Sequence, residues 1–453
     1  MDIQKILADL DLKSIPCEYC DVRVEEVFES KVSFQNHELV TSIEKSSVGA
    51  FLRVRKSGQW YYSATTELAT LKEQLLALSR SLSFGEGRNW SKLPENYGHF
   101  ENISYSKNNP TLTFLNEKVE LLKQYDSLST KYPLVKTSRS TYVDIYKVKS
   151  YKNSVGTSYR YDFTQCGTHF SFDLADGDKM FSDMAAIYGE TFADLHNKQE
   201  EILTILNNSD KFLYAPLVTA GKYKLVLSPL ITGVFVHESF GHMSEADNLL
   251  GDPVAKDTWQ LGKKVAADFV SIVDSGVHQG GSGYCPIDDE GHKSQKTYLI
   301  KDGILSGRLH SYDTALAMDE APTGNGRALS FEYDPIVRMT STYIENGTTS
   351  LEDLLKMADG GIYIENYNYG TGGDLFTISP SRAYMIKDGK LSTPIRTSVM
   401  SGRLFETLHN IEAIANDFTL KHSALGGCGK MGQAPLPVSD GGPTILVKDM
   451  QVS

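Results

Sequence analysis

The segment SPLITGVFVHESFGH, residues 228–242, follows a predicted strand at 223–227 and has the features of a helix. Ser228 can cap the helix N-terminus with its hydroxyl group. Pro229 suits the first helical position, because the N–H that proline lacks would have no intrahelical partner there. The predicted helix carries three residues that can take part in chemistry: His237, Glu238 and His242.

The spacing of the two histidines is unusual for a shared metal site. In an HExxH zinc motif the histidines are four residues apart on one helix face, and the glutamate activates a metal-bound water. His237 and His242 are five residues apart, so an ideal α-helix separates their side chains by about 140° around its axis. A π-bulge would absorb the extra residue, and Gly241 would ease it. Without a bulge the two histidines would be unrelated, one facing the core and the other the solvent.

A hydrolytic zinc site also needs a third protein ligand and an open position for water. Four residues are candidates for the third ligand: Glu245, Asp247, His292 and Cys428. Cys428 lies among glycines in a tight turn where a thiolate could reach a metal, although most lone cysteines are buried as small apolar residues. The residues alone leave this choice open.

The N-terminal part shows a strand pattern followed by a helix pattern. Alternating apolar and polar residues predict antiparallel strands, with a hairpin turn at Ser57 and Gly58. From residue 66 the apolar spacing becomes helical, with five leucines on one face: Leu68, Leu71, Leu75, Leu78 and Leu82. The stretch 83–110 has no clear period and contains the first predicted boundary.

The middle part is predicted to contain a helix at 115–125 and strands from 134 to 174, with one turn at 166–167. A second helix pattern covers 188–206, and the polar run 207–210 is expected to end it. We therefore expect antiparallel sheets with covering helices in the N-terminal half.

The C-terminal part is mostly short strand patterns and glycine turns, with a further helix after Ser350, whose spacing to Asp353 matches a capping box. The predicted fold class is therefore α+β in three units. These are an N-terminal α+β unit at 1–100, a middle α+β unit at 101–215, and a strand-rich, barrel-like catalytic domain at 216–453 that carries the HExxxH helix.

Composition excludes several classes of protein. The 453 residues contain 45 Lys and Arg against 57 Asp and Glu, a net charge of −12 that disfavours direct nucleic-acid binding. The mean hydropathy of −0.28, together with the absence of a signal-peptide pattern or an 18-residue apolar run, predicts a cytoplasmic protein with no membrane partner. The five scattered cysteines are too few for a disulfide framework.

Two further motifs are interpreted as turns. The acidic run 288–290 could bind a divalent cation, but three acids beside a glycine more often form a solvated turn. The glycine-rich run 369–374 lacks the phosphate-loop pattern, so a turn beside the active site is the better interpretation.

The order of motifs along the chain resembles the TldD/PmbA family, whose members are called modulators of DNA gyrase and are regarded as metallopeptidases. The motifs that carry the resemblance are His237-Glu238-x-x-Gly241-His242 with Glu245-Ala246-Asp247, Ile287-Asp288-Asp289-Glu290-Gly291, Leu299-Ile300-Lys301-Asp302-Gly303, Thr323-Gly324-Asn325, Arg338-Met339-Thr340, Cys428-Gly429-Lys430-x-Gly432-Gln433 and Gly442-Pro443-Thr444. They span most of the chain from about residue 222 onward.

The resemblance implies a function and a set of site residues. It implies a zinc ion held by His237, His242 and Cys428, with Glu238 as the general base. It also implies cleavage of unstructured peptides and some peptide-antibiotic precursors. His292, where the family usually has a small residue, could be an accessory ligand or a proton donor.

The family has TldD-type subunits, which carry the HExxxH motif, and PmbA-type (TldE) partners, which lack it. This chain has the motif, so it resembles the active type, in a homodimer or in a heterodimer with a PmbA/TldE-type subunit. The alternative is a non-catalytic regulatory or scaffolding subunit with a structural metal site, which a fourth protein ligand would favour.

Overall fold

The computed structural model describes residues 2–81, 87 and 90–453, and shows a strand-rich α+β chain, as expected. The N-terminal half is built on one seven-stranded, mainly antiparallel sheet. Its strands are β1 (Tyr19–Gln35), β2 (Glu38–Lys56), β3 (Gln59–Thr65), β4 (His99–Asn102), β5 (Val135–Asn153), β6 (Ser158–Asp176) and β7 (Lys179–Gly189). They lie in the order β3-β2-β1-β5-β6-β4, and β7 also pairs with β6.

The predicted hairpin between β2 and β3 is confirmed. Its two loop residues, Ser57 and Gly58, have φ angles of 50° and 72°. Two positive φ angles are typical of the two-residue turn whose twist matches that of the flanking strands.

Helices cover this sheet, as expected for the N-terminal half. They are α1 (Ile3–Asp9), which was not predicted, α2 (Leu71–Ser79), α3 (Leu115–Asp126) and α4 (Gln199–Leu213). Leu71 and Leu75 of α2 are buried in one apolar cluster with residues of β1 and β2. Of the leucines assigned to this helix, Leu82 lies outside the described residues.

Two local expectations in the middle part are wrong. Residues 166–167 do not form a turn but lie within β6, where a side chain on Gly167 would come within 2.7 Å of the Ile187 carbonyl oxygen. This glycine therefore allows a close backbone approach and does not mark a turn. The helix pattern at 188–206 also starts too early, because Tyr188 belongs to β7, and α4 continues through 207–210. Ser209 is accommodated there by hydrogen bonds to Asp183 and the Ile205 carbonyl.

The C-terminal half contains the remaining strands and helices. The strands are β8 (Gly221–Leu227), β9 (Ile272–Ser275), β10 (Lys296–Lys301), β11 (Ile304–Leu305), β12 (Gly326–Arg327), β13 (Ile336–Val337), β14 (Ser341–Ile344), β15 (Ile362–Thr371), β16 (Leu375–Lys387), β17 (Lys390–Ile395), β18 (Met400–Arg403), β19 (Ile411–Ile414), β20 (Thr419–Lys421), β21 (Cys428–Lys430), β22 (Gln433–Leu436), β23 (Ser439–Gly442) and β24 (Ile445–Val452). The helices are α5 (Pro229–Phe235), α6 (Pro253–Thr258), α7 (Tyr312–Met318), α8 (Leu351–Met357) and α9 (Leu404–His409). Ser350 caps α8 through the Asp353 N–H, as its spacing predicts.

Five of these strands close into a barrel, which confirms the barrel-like character expected for this half. The ring runs β15-β8-β24-β18-β16, and β16 pairs back with β15. A second sheet, β11-β10-β9-β14-β23-β20, lies beside it. Helix α5 leaves the end of β8 and contacts β15 on one side and β14, β20 and β23 on the other. The predicted HExxxH helix therefore lies between the barrel and the second sheet.

The acidic run 288–290 is not a solvated turn, so that expectation is wrong. Asp289 is 1% exposed and lies 2.7 Å from Lys149 of β5. Glu290 is bound by Arg53 of β2 at 3.1 Å and accepts a hydrogen bond from the Tyr312 N–H. The carboxylates are buried because cations of the N-terminal sheet neutralise them, and the pairs join the two halves of the chain.

The division into three units stays a prediction. Strands from the first two predicted units, 1–100 and 101–215, share the N-terminal sheet. Among the helices of the described residues, none is long and apolar enough to cross a membrane.

Candidate metal centre

The HExxxH helix changes its geometry where the histidine spacing requires it. Helix α5 begins at Pro229, with the Ser228 hydroxyl accepting a hydrogen bond from the Ile231 N–H. It continues as a π-helical segment, Val236–Gly241, in which the His242 N–H donates to the His237 carbonyl. The predicted π-bulge is therefore confirmed.

The bulge brings both histidines to Cys428. Nitrogen atoms of His237 and His242 and the Cys428 sulfur all lie within 4.8 Å of one another. The Cys428 Sγ is 3.4 Å from His242 Nε2, and the imidazole rings are nearly perpendicular with centroids 5.1 Å apart. In the part of the chain that the structure describes, these three residues form the one group suited to hold a metal ion.

The chemistry of the group fits a metal such as zinc. Two imidazoles and a thiolate are ligands that zinc commonly takes in proteins. The Nδ1 atom of His237 is buried and has no hydrogen-bond partner within the described ranges. A buried nitrogen left in this state is unfavourable, and a metal ion is a partner that would satisfy it.

The three side chains also shift one another's protonation. Burial raises the pKa of the Cys428 thiol, but hydrogen bonds from His237 and His242 outweigh it and lower that pKa to about 6. Burial lowers the pKa of His242, whereas Cys428 and Glu245 together raise it to about 10. The thiolate is therefore favoured at neutral pH, and a divalent cation would replace the proton that now compensates its charge.

Two of the four candidates for the third ligand, Glu245 and Asp247, do not belong to the group but lie next to it. Glu245 Oε2 lies 3.3 Å from Nδ1 of His242, the ring nitrogen opposite to the one that faces Cys428. Lys430 lies 3.0 Å from the same oxygen and 2.6 Å from Asp247 Oδ1. A carboxylate in this position fixes the orientation of a metal-binding histidine. Glu245 and Asp247 therefore hold the ligand elements together.

The fourth candidate, His292, lies elsewhere. Its Nδ1 atom is 2.9 Å from the Tyr97 hydroxyl, and its ring packs edge-on against the Tyr97 ring. The main-chain N–H of His292 donates to Asp288 Oδ1, which places the residue beside the buried acidic run. His292 is thus not part of the group around Cys428.

Cys428 is held in place by a residue that was not expected to take part. It lies in the hairpin of β21 and β22, directly opposite Leu436. The fully buried Arg338 donates hydrogen bonds to the carbonyls of Cys428, at 2.6 Å, and Gln433, at 3.2 Å. The sequence did not predict the roles of Arg338 and Lys430, because Arg338 binds backbone carbonyls and Lys430 binds carboxylates that are distant in sequence. The only sequence signal was that both residues lie in motifs shared with the TldD/PmbA family.

Glu238 lies beside the group with an available carboxylate. It is half-buried, and within the described residues its carboxylate makes no hydrogen bond or ion pair. The glycine-rich run 369–374, at the tip of the β15–β16 hairpin, lies against it as expected. A Cβ on Gly372 would come 1.7 Å from the Glu238 carbonyl oxygen.

Comparisons with known proteins identify the family of the chain. The model of the PmbA/TldA metallopeptidase C-terminal domain matches residues 220–453, and that of the PmbA/TldA metallopeptidase domain 1 matches 20–81. A metalloprotease of Synechocystis is 33% identical over 96% of this chain and 94% of its own length. A protein of Saccharolobus solfataricus named zinc metalloprotease TldD homolog is 26% identical over 96% of both chains.

Solved structures show the same fold at lower identity. A Thermotoga maritima protein described as a modulator of a DNA gyrase has a TM-score of 0.75 and 20% identity, over 96% of both chains. TldE from Thermococcus kodakarensis has a TM-score of 0.74 and 16% identity, over 96% of this chain and 97% of its own. With a C-terminal family model that matches more than half of the residues, the chain belongs to the TldD/PmbA family of metallopeptidases.

Proposed function

We propose that this chain is a zinc-dependent metallopeptidase of the TldD type that cleaves unstructured peptides or peptide precursors. The observation that carries the proposal is the group of His237, His242 and Cys428, with their ligand atoms within 4.8 Å. Beside it lies the Glu238 carboxylate, which has no hydrogen bond or ion pair to any residue that the structure describes. The names of the relatives, which include metalloproteases and a zinc metalloprotease, support it.

Each residue has a distinct role in the proposed reaction. His237, His242 and Cys428 hold the zinc ion, which when bound supplies a Lewis acid for the scissile carbonyl and lowers the pKa of a water molecule. Glu238 accepts the proton of the attacking water and donates it to the leaving amine. Glu245 keeps Nδ1 of His242 occupied, so that Nε2 is directed at the metal position.

The thiolate ligand has two consequences. It donates more charge to the metal than a third imidazole would, so turnover is expected to be modest. It also makes the centre sensitive to oxidants, which attack thiolates first.

The burial of two ligands supports the proposed substrate class. His237 is 5% exposed and Cys428 is 3% exposed, whereas the His242 side chain is 26% exposed. An extended chain reaches such a centre more easily than a folded protein does.

The assembly and location are proposed from the family and composition. We propose a homodimer or a heterodimer with a PmbA/TldE-type subunit, and the likeness to TldE supports the second arrangement. We further propose that the protein acts in the cytoplasm, with no direct nucleic-acid or membrane partner. The net charge of −12 supports the absence of nucleic acid.

The alternative, a regulatory or scaffolding subunit with a structural metal site, has less support. A structural zinc site normally has four protein ligands. The group found among the described residues has three, which leaves a position for water. A scaffold would also have no use for an unpaired Glu238.

The test is the metal content of the wild type and of Glu238→Gln, measured by mass spectrometry, with cleavage of casein assayed on both. We expect zinc near one per chain in both and cleavage only in the wild type. Zinc in both proteins with cleavage in neither, even after a PmbA/TldE-type subunit is added, would favour the scaffold. A tightly folded protein serves as a control substrate and should resist cleavage that its unfolded variant undergoes.

A further inference from the structure

A groove of about 550 Å³ separates the N-terminal sheet from loops of the C-terminal half. One face of the N-terminal sheet forms the floor of the groove, through residues of β1, β2, β5 and β6. The apolar part of the floor comes from Val27, Ile43, Val143, Ile145 and Phe163. Lys31 also lines the groove, as do Lys45, Lys147 and Lys149, whose charges are paired with Glu29, Glu25 and Asp289. Ile43 is 54% exposed. Grooves of this size and lining are typical of ligand sites, and a partly exposed apolar floor indicates an occupant.

The opposite wall of the groove connects it to the metal centre. The wall includes Gly426, which precedes the β21–β22 hairpin, and Leu436, the last residue of β22. Leu436 is paired directly with Cys428 across that hairpin. Side chains of directly opposed residues project from the same face of a sheet. The face of the hairpin that presents Cys428 therefore also borders the groove.

One polar group in the groove has no partner. Gln165 of β6 lines the groove and is 5% exposed, yet its Oε1 atom accepts no hydrogen bond in the described part of the chain. A buried acceptor in this state favours a ligand that brings a donor. The main-chain N–H of an extended peptide is such a donor, and it comes with side chains that can pack on the floor.

We propose that the groove binds an extended segment of the peptide substrate on one side of the scissile bond, with preference for apolar side chains. This proposal rests on the proposed function. The peptide packs against the floor around Ile43 and donates a main-chain hydrogen bond to Gln165. The metal centre itself then needs little sequence preference, because the groove supplies the affinity.

The first test locates a bound peptide. A photo-crosslinking residue replaces Ile43 in the Glu238→Gln variant, and a second protein carries it at Val48. Val48 lies on the same strand with its side chain on the opposite face, is 40% exposed and does not line the groove. A labelled unstructured peptide with apolar residues should crosslink at position 43 and not at 48. Equal labelling at both positions would overturn the proposal, and so would crosslinks from position 43 to a second copy of the chain.

The second test is kinetic. Ile43→Lys should raise KM for an apolar peptide of ten or more residues about tenfold with kcat unchanged, since burial of an isoleucine is lost. Val48→Lys should change neither constant. Zinc content should be the same in all three proteins, because neither residue contacts the metal ligands.

Gln165→Met separates a binding role from a structural one. Methionine has a similar shape and removes the unpaired oxygen. If the oxygen binds substrate, KM rises; if it is only an unsatisfied group, the variant melts at a higher temperature and KM is unchanged, which overturns this part of the proposal. If the wild type cleaves no peptide but the Glu238→Gln variant with the probe at position 43 is crosslinked, the proposed function is refuted and the groove is supported. Cleavage with unaltered KM in both groove variants would refute the groove alone.

Discussion

Lys430 Nζ lies 2.6 Å from Asp247 Oδ1, although 183 residues separate the two in sequence. The same ammonium group lies 3.0 Å from Glu245, which in turn contacts His242. One lysine thus fastens the hairpin that carries Cys428 to the turn that follows the HExxxH helix. The two ligand-bearing elements are connected before any metal binds.

Lys430→Met should therefore weaken zinc binding by about 10- to 100-fold, the usual effect of losing a residue that orients a ligand. The variant leaves Glu245 buried without its cation and frees His242 to turn. Competition with a chromophoric chelator measures the change. Lys356→Met, which removes an exposed lysine of α8 paired with Glu352, is the control and should bind zinc as the wild type does. An unchanged zinc affinity in Lys430→Met would contradict the proposed role.

Cys428→Ala should lose both bound zinc and peptidase activity, because only two imidazole ligands remain. Peroxide should inactivate the wild type with release of zinc. Cys17→Ala, which alters a half-buried cysteine two residues before β1, should retain zinc and activity. Full activity of Cys428→Ala with zinc still at one per chain would exclude the thiolate as a ligand.

Gly372→Ala should lower kcat while zinc stays bound. The new methyl group would come 1.7 Å from the Glu238 carbonyl oxygen, so either the hairpin tip or Glu238 has to move. Zinc content and peptide cleavage, measured on the same preparation, check the prediction. Gly221→Ala is a matched control, since its nearest neighbour would be a Tyr223 ring carbon at 3.6 Å. Equal cleavage rates in both variants would show that the hairpin tip does not position Glu238.

Zinc binding should release at least one proton at neutral pH. In the metal-free chain the pKa of Cys428 is about 6 and that of His242 is about 10, so at pH 7 to 9 the thiolate is formed and His242 is protonated. Zinc has to displace the imidazole proton of His242. Burial lowers the pKa of His237 but Cys428 raises it more, so the apparent zinc affinity rises at least about tenfold per pH unit in this range and falls more steeply below about pH 6. Calorimetry in buffers of different ionisation enthalpy counts the protons. An affinity that does not vary between pH 7 and 9 would contradict this.

Local geometry explains what the sequence predicted well. The i to i+5 spacing of His237 and His242 allows a shared metal on a helix only with a π-bulge, and the π-helical segment is that bulge. Ser57 and Gly58 fit a two-residue hairpin turn. The selection of Cys428 needed the family resemblance, because distance along the chain gives no information on which of four candidates meets the histidines.

The failures concern contacts between distant parts of the chain. Asp289 is buried because it pairs with Lys149, which lies 140 residues earlier in the chain. No local sequence pattern indicates that partner. Gly167 lies in a strand because another backbone passes close to it. Glycines and acidic runs serve both turns and tertiary contacts, so their sequence context alone does not distinguish the two.

The separation of the metal ligands has a consequence for biosynthesis. Cys428 follows His242 by 186 residues. At about 5–20 residues per second, a ribosome completes this interval roughly 10–40 s after His242 is made. During that time the nascent chain contains His237, Glu238 and His242 but not yet Cys428. The chain is therefore synthesised without a complete metal site. On the proposed function, its own unfolded segments and those of neighbouring nascent chains meet no active peptidase until the C-terminal half has folded.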